Sequence, residues 1–484
     1  MRLVELIKNA DSLTVIGSLE KEIKDIVFNS KLAAVNSLFV ALKSREDNGL
    51  AYISEAIAQG AVAILTDEIP PLNCNGITYL KASDVRKAAA ILTATFYQYP
   101  AKKLNLIGIT GTNGKTTTSY LIASILRQSQ KKTGIIGTIQ YQCGNKAVLA
   151  ALTTPESLEL QMLFKKMVLE GISDVVMEVS SHSLFYKRVA ECQFRLAIFT
   201  NLSQDHLDFH KDMETYFECK KKLFTHYLAN NGYAIINLDD PYGKRLSKEI
   251  NVSYLTYGLS PLADIWAENP LFSLNGTKAT IHTKKGCFPI FSPLIGKPNL
   301  YNLLAAIGTA IVMDLPLDKI KVGIEEVQSV CGRLERFSRN GIEVFVDYAH
   351  SPAALEQTLK TLRPLCQGKL ITVFGCGGNR DRGKRPLMGK VVSELSNMVI
   401  ITDDNPRYEP SRQIIQDIEV GIKKGISYWV IPQRKQAIHI AIKYAQRNDI
   451  VFIAGKGHEN YQLIGGEKYY LSDRKEVEKA LRDK

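Results

Sequence analysis

Between Gly108 and Thr117 the chain reads Gly-Ile-Thr-Gly-Thr-Asn-Gly-Lys-Thr-Thr, which sets three glycines, a lysine and several hydroxyls where an apolar strand gives way to a helix. That combination is phosphate-binding chemistry. Leu104 to Thr110 is strand-like and Thr118 to Gln128 is helical, so the glycines between them let backbone N–H groups converge on an anion at the positive end of a helix. Lys115 would neutralise phosphate charge, and the hydroxyl of Thr116 could ligate magnesium. The spacing departs from a strict Walker A loop, because Ile109 holds the first glycine position with Gly108 and Gly111 on either side.

Other polar groups follow apolar runs further along. Glu178 and Ser180-Ser181-His182 come after one such run, and Asn201, Asp205-His206-Leu-Asp208 and His210 after another. Strand ends on the phosphate-loop side of a parallel sheet converge, so a carboxylate and an imidazole are placed to meet the metal of a bound nucleotide. Any one of them alone would read as a solvated loop residue; their shared placement carries the functional reading. Lys220-Lys221-Lys222, on a helix expected between Met213 and Tyr227, reads from spacing alone as a solvated face.

Nearer the C-terminus, Gly375-Cys-Gly-Gly-Asn-Arg-Asp-Arg-Gly-Lys-Arg385 is a second glycine cluster after a strand, with three arginines and one lysine. Guanidinium forks suit carboxylate or phosphate. Asp404-Asn-Pro-Arg407 sets an acceptor, an amide and a guanidinium on a proline-stiffened loop, and Gly455-Lys-Gly-His-Glu459 ends the next strand. Asn-Pro and Gly-Gly are turn signals in their own right. Three charged turns at one sheet edge nevertheless suit a ligand bearing both ammonium and carboxylate groups.

The elements that must position these residues follow from length and periodicity. A chain of 484 residues is long enough for about three domains. Up to about Lys81, short strand-like runs (from Asp25, Ser37 and Ala61) alternate with a helix from Tyr52 to Gln59 ended by Gly60, a small α/β unit. A helix from Val85 to Tyr99 leads to the phosphate loop. Beyond it, Asp174-Val-Val-Met-Glu-Val and Leu196-Ala-Ile-Phe-Thr are continuous apolar runs separated by helices, the pattern of a parallel sheet covered on both faces. After the Arg339-Asn-Gly turn, strands from Ile342, Leu370, Met398 and Ile450 form a further doubly wound sheet with ligands at their carboxyl ends. The fold class is therefore α/β in three domains: a small N-terminal α/β domain (1–84), a central P-loop ATPase-like parallel sheet (85–335) and a C-terminal Rossmann-like doubly wound domain (336–484).

Composition narrows the function classes. The chain is 45% hydrophobic and 23% charged, ordinary for a globular protein, and no run approaches the ~20 apolar residues of a membrane helix. With Glu5 near the N-terminus and no apolar core behind it, no membrane insertion and a cytoplasmic location are expected. Eight cysteines, at Cys74, Cys143, Cys192, Cys219, Cys287, Cys331, Cys366 and Cys376, include no CxxC pair, which argues against disulfides or structural zinc. The net charge of +12 is spread along the chain without aromatic interleaving, so anionic small molecules explain it better than nucleic acid.

Taken together, these residues resemble the Mur ligase family, the ATP-dependent amide-forming enzymes of peptidoglycan assembly, over essentially the whole chain. The resemblance rests on Gly111-Thr-Asn-Gly-Lys-Thr-Thr117, Glu178-Val-Ser-Ser-His182, Asn201-Leu-Ser-Gln-Asp-His206-Leu-Asp208, Gly296-Lys-Pro-Asn299-Leu-Tyr-Asn302, Gly332-Arg333-Leu-Glu335 and Asp347-Tyr-Ala-His350, in the family's order. Asp404-Asn-Pro-Arg407 with Gly455-Lys-Gly-His-Glu459 is similar to those members that add meso-diaminopimelate to UDP-N-acetylmuramoyl-L-alanyl-D-glutamate. The resemblance implies an acyl phosphate, made with ATP, that an amine converts to an amide, ADP and phosphate. It implies an ATP site of Gly111, Thr112, Asn113, Gly114, Lys115, Thr116 and Thr117, completed by Asn299, Asn302, Arg333 and Asp347 across a domain junction. Magnesium is implied at Thr116, Glu178 and His206. The resemblance also overturns the solvated reading of the lysine run, because Lys220 aligns with a lysine that the family carbamylates, and a CO2-derived carbamate supplies the anionic oxygens that magnesium prefers. Lys115, Glu178, His206, Lys220 and Arg333 form the implied catalytic set, with Arg333 offsetting charge on the transferred phosphoryl group.

For the nucleotide sugar the resemblance points to Ser30, Thr153, Thr154, Ser180 and Arg188. For diaminopimelate it points to Arg380, Asp404, Asn405, Pro406, Arg407, Gly455 and Glu459. Arg407 is expected to hold the distal carboxylate, and the paired acidic and amide groups the distal ammonium; an ion pair that only the right substrate makes discriminates strongly. A monomer is expected. The sequence departs from many relatives at Asn29-Ser-Lys31, Arg45, Leu152, Tyr186 and Gln433, the first four in or near the nucleotide-sugar site. The alternatives are an L-lysine-adding ligase, disfavoured by Arg407; a folate-type glutamate ligase, disfavoured by Asp404-Asn-Pro-Arg407; and a nucleotide-gated binding protein with a vestigial site, disfavoured by Lys115, Glu178, His206 and Lys220 together.

Overall fold

The computed structural model describes residues 1–10, 12–43, 48–69 and 76–484, so Arg45 and Cys74 lie outside the described residues. Among the described residues the strands form sheets of five, eleven and six strands and a two-stranded hairpin. The seven cysteines among them are all free. No helix among the described residues is long and apolar enough to cross a membrane.

The first sheet runs in the order Leu13–Ile16, Thr78–Ala82, Ala61–Thr66, Ser37–Val40, Asp25–Val27, parallel except at the Leu13–Ile16 edge. One face packs on the helix Ile53–Ala58 through Ile53 and Ala56. The other takes Leu3, Leu6 and, from the helix Val85–Phe96, Val85, Ala88, Ala89 and Leu92. At the expected boundary this helix thus packs both on the first sheet and on the helix Ser157–Leu169 of the central unit. The helix puts its apolar stripe into the first sheet's core, and the connection to the central sheet follows it.

In the central sheet, seven strands lie parallel in the order Ile265–Ser273, Ser253–Gly258, Leu228–Asn237, Phe194–Phe199, Asn105–Thr110, Asp174–Glu178, Thr133–Ile136. Val175, Val176, Ala197 and Ile198 are fully buried, as runs without polar alternation require when helices cover both faces. Helices Lys115–Gln128 and Gly296–Val312 cover one face, and Ser157–Leu169 and Met213–Thr225 the other. Both edges continue antiparallel, through Gln140–Cys143 and Lys146–Leu149 at one side and Gly276–Thr283 and Gly286–Ser292 at the other. These meanders extend the sheet beyond the parallel core that the apolar runs predict.

The third sheet runs Glu335–Arg339, Ile342–Asp347, Ile450–Ala454, Leu370–Phe374, Met398–Ile401, Ser427–Val430. All but the first strand are parallel. Helices Pro352–Leu362, Lys384–Leu395 and Ser411–Glu419 cover one face, and Arg434–Tyr444 with Asp473–Arg482 the other. Glu335–Arg339 pairs with Ile342–Asp347 across the Asn340-Gly341 turn, so Glu335, expected to close the central domain, begins the third sheet. The carboxyl ends of the parallel strands carry Asp347, Gly375, Asp404 and Gly455 toward the central sheet.

Candidate active site

The phosphate loop leaves the buried strand Asn105–Thr110 and enters the helix Lys115–Gln128. Gly111 and Gly114 have φ of +142° and +88°, and a Cβ there would fall 1.9 Å from the Thr200 hydroxyl and 2.3 Å from Asn302 Oδ1. Left-handed backbone and close neighbours both demand glycine. Lys115 Nζ donates to the carbonyls of Gly111 and Thr112, each at 2.9 Å, and Lys220 Nζ donates to the same Gly111 carbonyl at 2.9 Å. Lys220, 1% exposed, is thus no solvated lysine. Burial and the neighbouring Lys115 push its pKa well below the ordinary amine value, and burial likewise lowers that of Lys115.

Glu178, at the end of the adjacent strand, is tied on both oxygens. Oε1 accepts from the Thr138 backbone N–H at 2.9 Å; Oε2 accepts from the Thr138 hydroxyl at 2.9 Å and the Thr116 hydroxyl at 3.1 Å. Arg333 reaches across from the junction with the third sheet, its Nη2 3.1 Å from Thr116 Oγ1 and its guanidinium over the Tyr348 ring. Its Nε is buried with no hydrogen-bond partner, a donor directed into the junction. Thr138 belongs to no sequence motif. It holds Glu178 in place, so Thr138→Val should lose a hydrogen bond to a charged group, on the order of 2 kcal/mol, or about thirtyfold in kcat/KM with an unchanged melting temperature. Steady-state kinetics and a thermal melt check it.

Thr116 and Glu178 fit magnesium, which is bound by one or two carboxylates together with substrate phosphates. Among the described residues no cluster of three or more His, Cys, Asp or Glu side chains forms a metal cage. His206, expected as a ligand, turns its Nε2 toward Asp205 at 3.6 Å and its ring edge-on to His182 at 4.9 Å. Burial lowers its pKa, with Lys220 and Lys115 adding to the fall and Asp205 opposing it. Burial and the neighbouring His206 lower that of His182 to about 3.

Thr153, Thr154, Ser180 and Arg188 gather beside Glu178. The Thr154 hydroxyl donates to the Glu178 carbonyl at 2.8 Å and accepts from the Ser180 N–H at 3.1 Å; Arg188 donates from Nη1 to the Thr154 carbonyl at 3.0 Å and pairs through Nη2 with Glu156 at 2.7 Å. Thr153 lies 3.1 Å from Thr138, hydroxyl to hydroxyl. Ser30 is buried in the first sheet's unit, where its hydroxyl donates to Glu55. Tyr186 packs its ring against the guanidinium of Arg86 at 4.2 Å. On the other side of the loop a small cavity of about 50 Å³ is lined by Asn113, Gly114, Asn201, Tyr257, Tyr301 and Asn302. Asn299 orients Asn302, accepting from its amide at 3.1 Å. The Asp347 carboxylate accepts from the N–H groups of Leu334 at 2.6 Å and Ala349 at 2.8 Å, fixing the segment that carries Arg333.

Between the two larger sheets lies a cleft of about 830 Å³, walled by His182, Asp205 and His206 on one side and by Arg380, Asp404, Asn405, Arg407, Gly455 and Glu459 on the other. Arg407 has φ of +54° and is pinned by its backbone, donating to Leu463 O at 2.9 Å and accepting from Gly465 N at 2.7 Å. Its Nη1 donates to the Gly378 carbonyl at 2.9 Å, which joins the two arginine-bearing loops. Glu409, likewise outside any motif, reinforces that joint by accepting from Arg382 and from both terminal nitrogens of the buried Arg385, each at 3.0 Å. Gly455 is required by its φ of +117° and by Asp404, whose Oδ2 would lie 2.6 Å from an added Cβ. Asn405, expected together with the acidic groups to hold a ligand ammonium, has its amide oxygen engaged within the fold. Its Oδ1 already accepts from Lys456 Nζ at 3.0 Å and Leu463 N at 2.9 Å.

A phosphate loop on one sheet, a doubly charged cleft on the next and an arginine crossing between them define an ATP-dependent amide-forming ligase. Residues 109–310 match the Mur ligase middle domain and residues 332–457 the Mur ligase, glutamate ligase domain, and the chain belongs to the Mur ligase family. Among its relatives, the UDP-N-acetylmuramoyl-L-alanyl-D-glutamate--2,6-diaminopimelate ligase of Geobacter metallireducens is 42% identical, with 100% of this chain and 99% of the relative covered. Ligase 1 of the same name from Clostridium acetobutylicum is 41% identical with both chains covered completely. A solved structure of a ligase of that name superposes with a TM-score of 0.70 at 32% identity, covering 100% of this chain and 99% of the other.

Proposed function

We propose that this chain joins meso-diaminopimelate to UDP-N-acetylmuramoyl-L-alanyl-D-glutamate at the expense of ATP, in peptidoglycan precursor synthesis. The observation that carries the reading is the cleft in which Arg407, Asp404 and Glu459 face the phosphate-loop side of the central sheet; full-length similarity to ligases of that name supports it. A carboxylate of the nucleotide precursor attacks the terminal phosphorus of ATP and ADP leaves. The amine of diaminopimelate then attacks the acyl carbon of the acyl phosphate, loses a proton, and inorganic phosphate departs as the amide forms. Lys115 and Arg333 offset charge on the phosphoryl group in flight. Magnesium, held through Thr116 and Glu178, would neutralise phosphate charge. Lys220, whose amine burial and the neighbouring Lys115 push toward the neutral form, would add to CO2 to give a carbamate and a proton. The nucleotide sugar is assigned to the first domain, extended through Val85–Phe96, and to Thr153, Thr154, Ser180 and Arg188. The same reading places the protein in the cytoplasm as a monomer.

The test is phosphate release with ATP and the nucleotide precursor, comparing diaminopimelate with lysine. Release should require precursor and diaminopimelate together and be very poor with lysine; equal use of lysine would overturn the substrate. Arg407→Ala should cost on the order of 3 kcal/mol, about a hundredfold in kcat/KM for diaminopimelate, with KM for ATP and precursor little changed. A variant that kept its full preference would remove Arg407 from recognition.

A further inference from the structure

Lys456 lies in the Gly455-Lys-Gly-His-Glu459 turn, fully buried beneath the amino-acid cleft, and no role in recognition follows from its place in the motif. Its Nζ donates to Asn405 Oδ1 at 3.0 Å and to Glu459 Oε2 at 2.9 Å. An ammonium has only donors, and so has the Leu463 N–H that meets the same amide 2.9 Å away. Asn405 must therefore point its oxygen at them and its NH2 toward Glu459, whose Oε2 accepts one hydrogen at 3.0 Å. The remaining N–H makes Asn405 a donor toward a ligand. Lys456 also balances Glu459, leaving Asp404 as the acidic group beside Arg407 whose charge no buried lysine offsets.

We infer that Lys456 is a positioning residue for specificity: it makes the distal end of the cleft a receptor for an ammonium and a carboxylate together, rather than for an ammonium alone. Asn405 and Arg407 supply donors to the carboxylate, and Asp404 with the free oxygen of Glu459 supplies acceptors to the ammonium. Without Lys456 the Asn405 oxygen keeps only the Leu463 N–H as donor and Glu459 loses its closest counter-charge, so the end of the cleft becomes more acidic and suits the lone ammonium of lysine better. The inference rests on the diaminopimelate reading.

The test compares wild type, Lys456→Met and Lys456→Gln with diaminopimelate, lysine and 2-aminopimelate, which keeps the distal carboxylate but lacks its ammonium. In both variants KM for diaminopimelate should rise about tenfold while kcat changes less than about threefold, and the preference over lysine should shrink by about thirtyfold or more. KM for ATP and precursor should stay put. Adding Glu459→Gln to Lys456→Met removes the surplus charge and should restore part of the preference. An unchanged preference, or an equal loss of kcat with every amine, would overturn the inference. If neither variant folds, wild type decides: use of 2-aminopimelate within about tenfold of diaminopimelate overturns it, and poor use supports it. Equal wild-type use of lysine would instead sink the substrate reading itself.

Discussion

Lys115→Ala should abolish turnover and leave the fold intact. The lysine opens the helix Lys115–Gln128, and its ammonium sits 2.9 Å from two carbonyls of the loop that delivers it. Alanine is the best helix former, so the exchange does not weaken the helix. What is lost is a cation placed beside the phosphates in a buried site, where a charge acts through little water. Compensation of the transferred phosphoryl group should fall by more than about 3 kcal/mol in the transition state, beyond a hundredfold in rate. Arg333 already contributes its own charge from across the junction, where Thr116 and the Tyr348 ring hold its guanidinium, so it does not make up for the missing cation. Phosphate release, with a thermal melt to confirm folding, measures the effect. A variant with near-normal turnover would take this loop out of the mechanism.

The phosphate loop and parallel strands were legible because local pattern and tertiary role coincide there: glycines where φ is positive, unbroken apolar runs where both sheet faces are covered. The helix Val85–Phe96 shows the opposite case. Its boundaries are readable from its own residues, but which sheet it covers depends on Leu3, Leu6 and Leu38, far away in sequence. Thr138 is illegible for the same reason, since its worth lies in a carboxylate 40 residues on. At Asn405 the sequence shows the residue type but not how its amide is engaged. The amide oxygen that a ligand ammonium could use is consumed by Lys456 and Leu463, which only the folded turn brings near.

The inward turn of Lys220 is encoded in the pattern of its own helix. Tyr216, Phe217, Leu223 and Phe224 are buried, and positions three and four apart lie on one face of a helix, so Lys220 falls in the middle of the apolar stripe. Lys221 is rotated off that stripe onto Glu218 and Glu249. A run of three lysines hides one that points inward.

Its substitution gives the other large effect expected. Lys220 and Lys115 share the Gly111 carbonyl, and neither has a carboxylate within ion-pair distance among the described residues. Two ammonium groups this close, with magnesium added, would repel one another. A carbamate on Lys220 turns a repulsive charge into an anionic oxygen donor, and the lowered amine pKa favours the neutral form that reacts with CO2. Lys220→Ala should therefore fall by at least about a hundredfold in kcat, the scale of losing one well-placed electrostatic group from an active site. The cavity left behind is polar at its inner end, so small carboxylates such as formate or acetate should restore part of the activity, while small amines should not. The assay is phosphate release across a carboxylate titration, run beside wild type with and without bicarbonate. Rescue by carboxylates alone identifies the missing group as an anion. An alanine variant with wild-type rates in bicarbonate-free buffer would show that no carbamate is needed, and Lys220 would then be a buried structural lysine capping the phosphate loop.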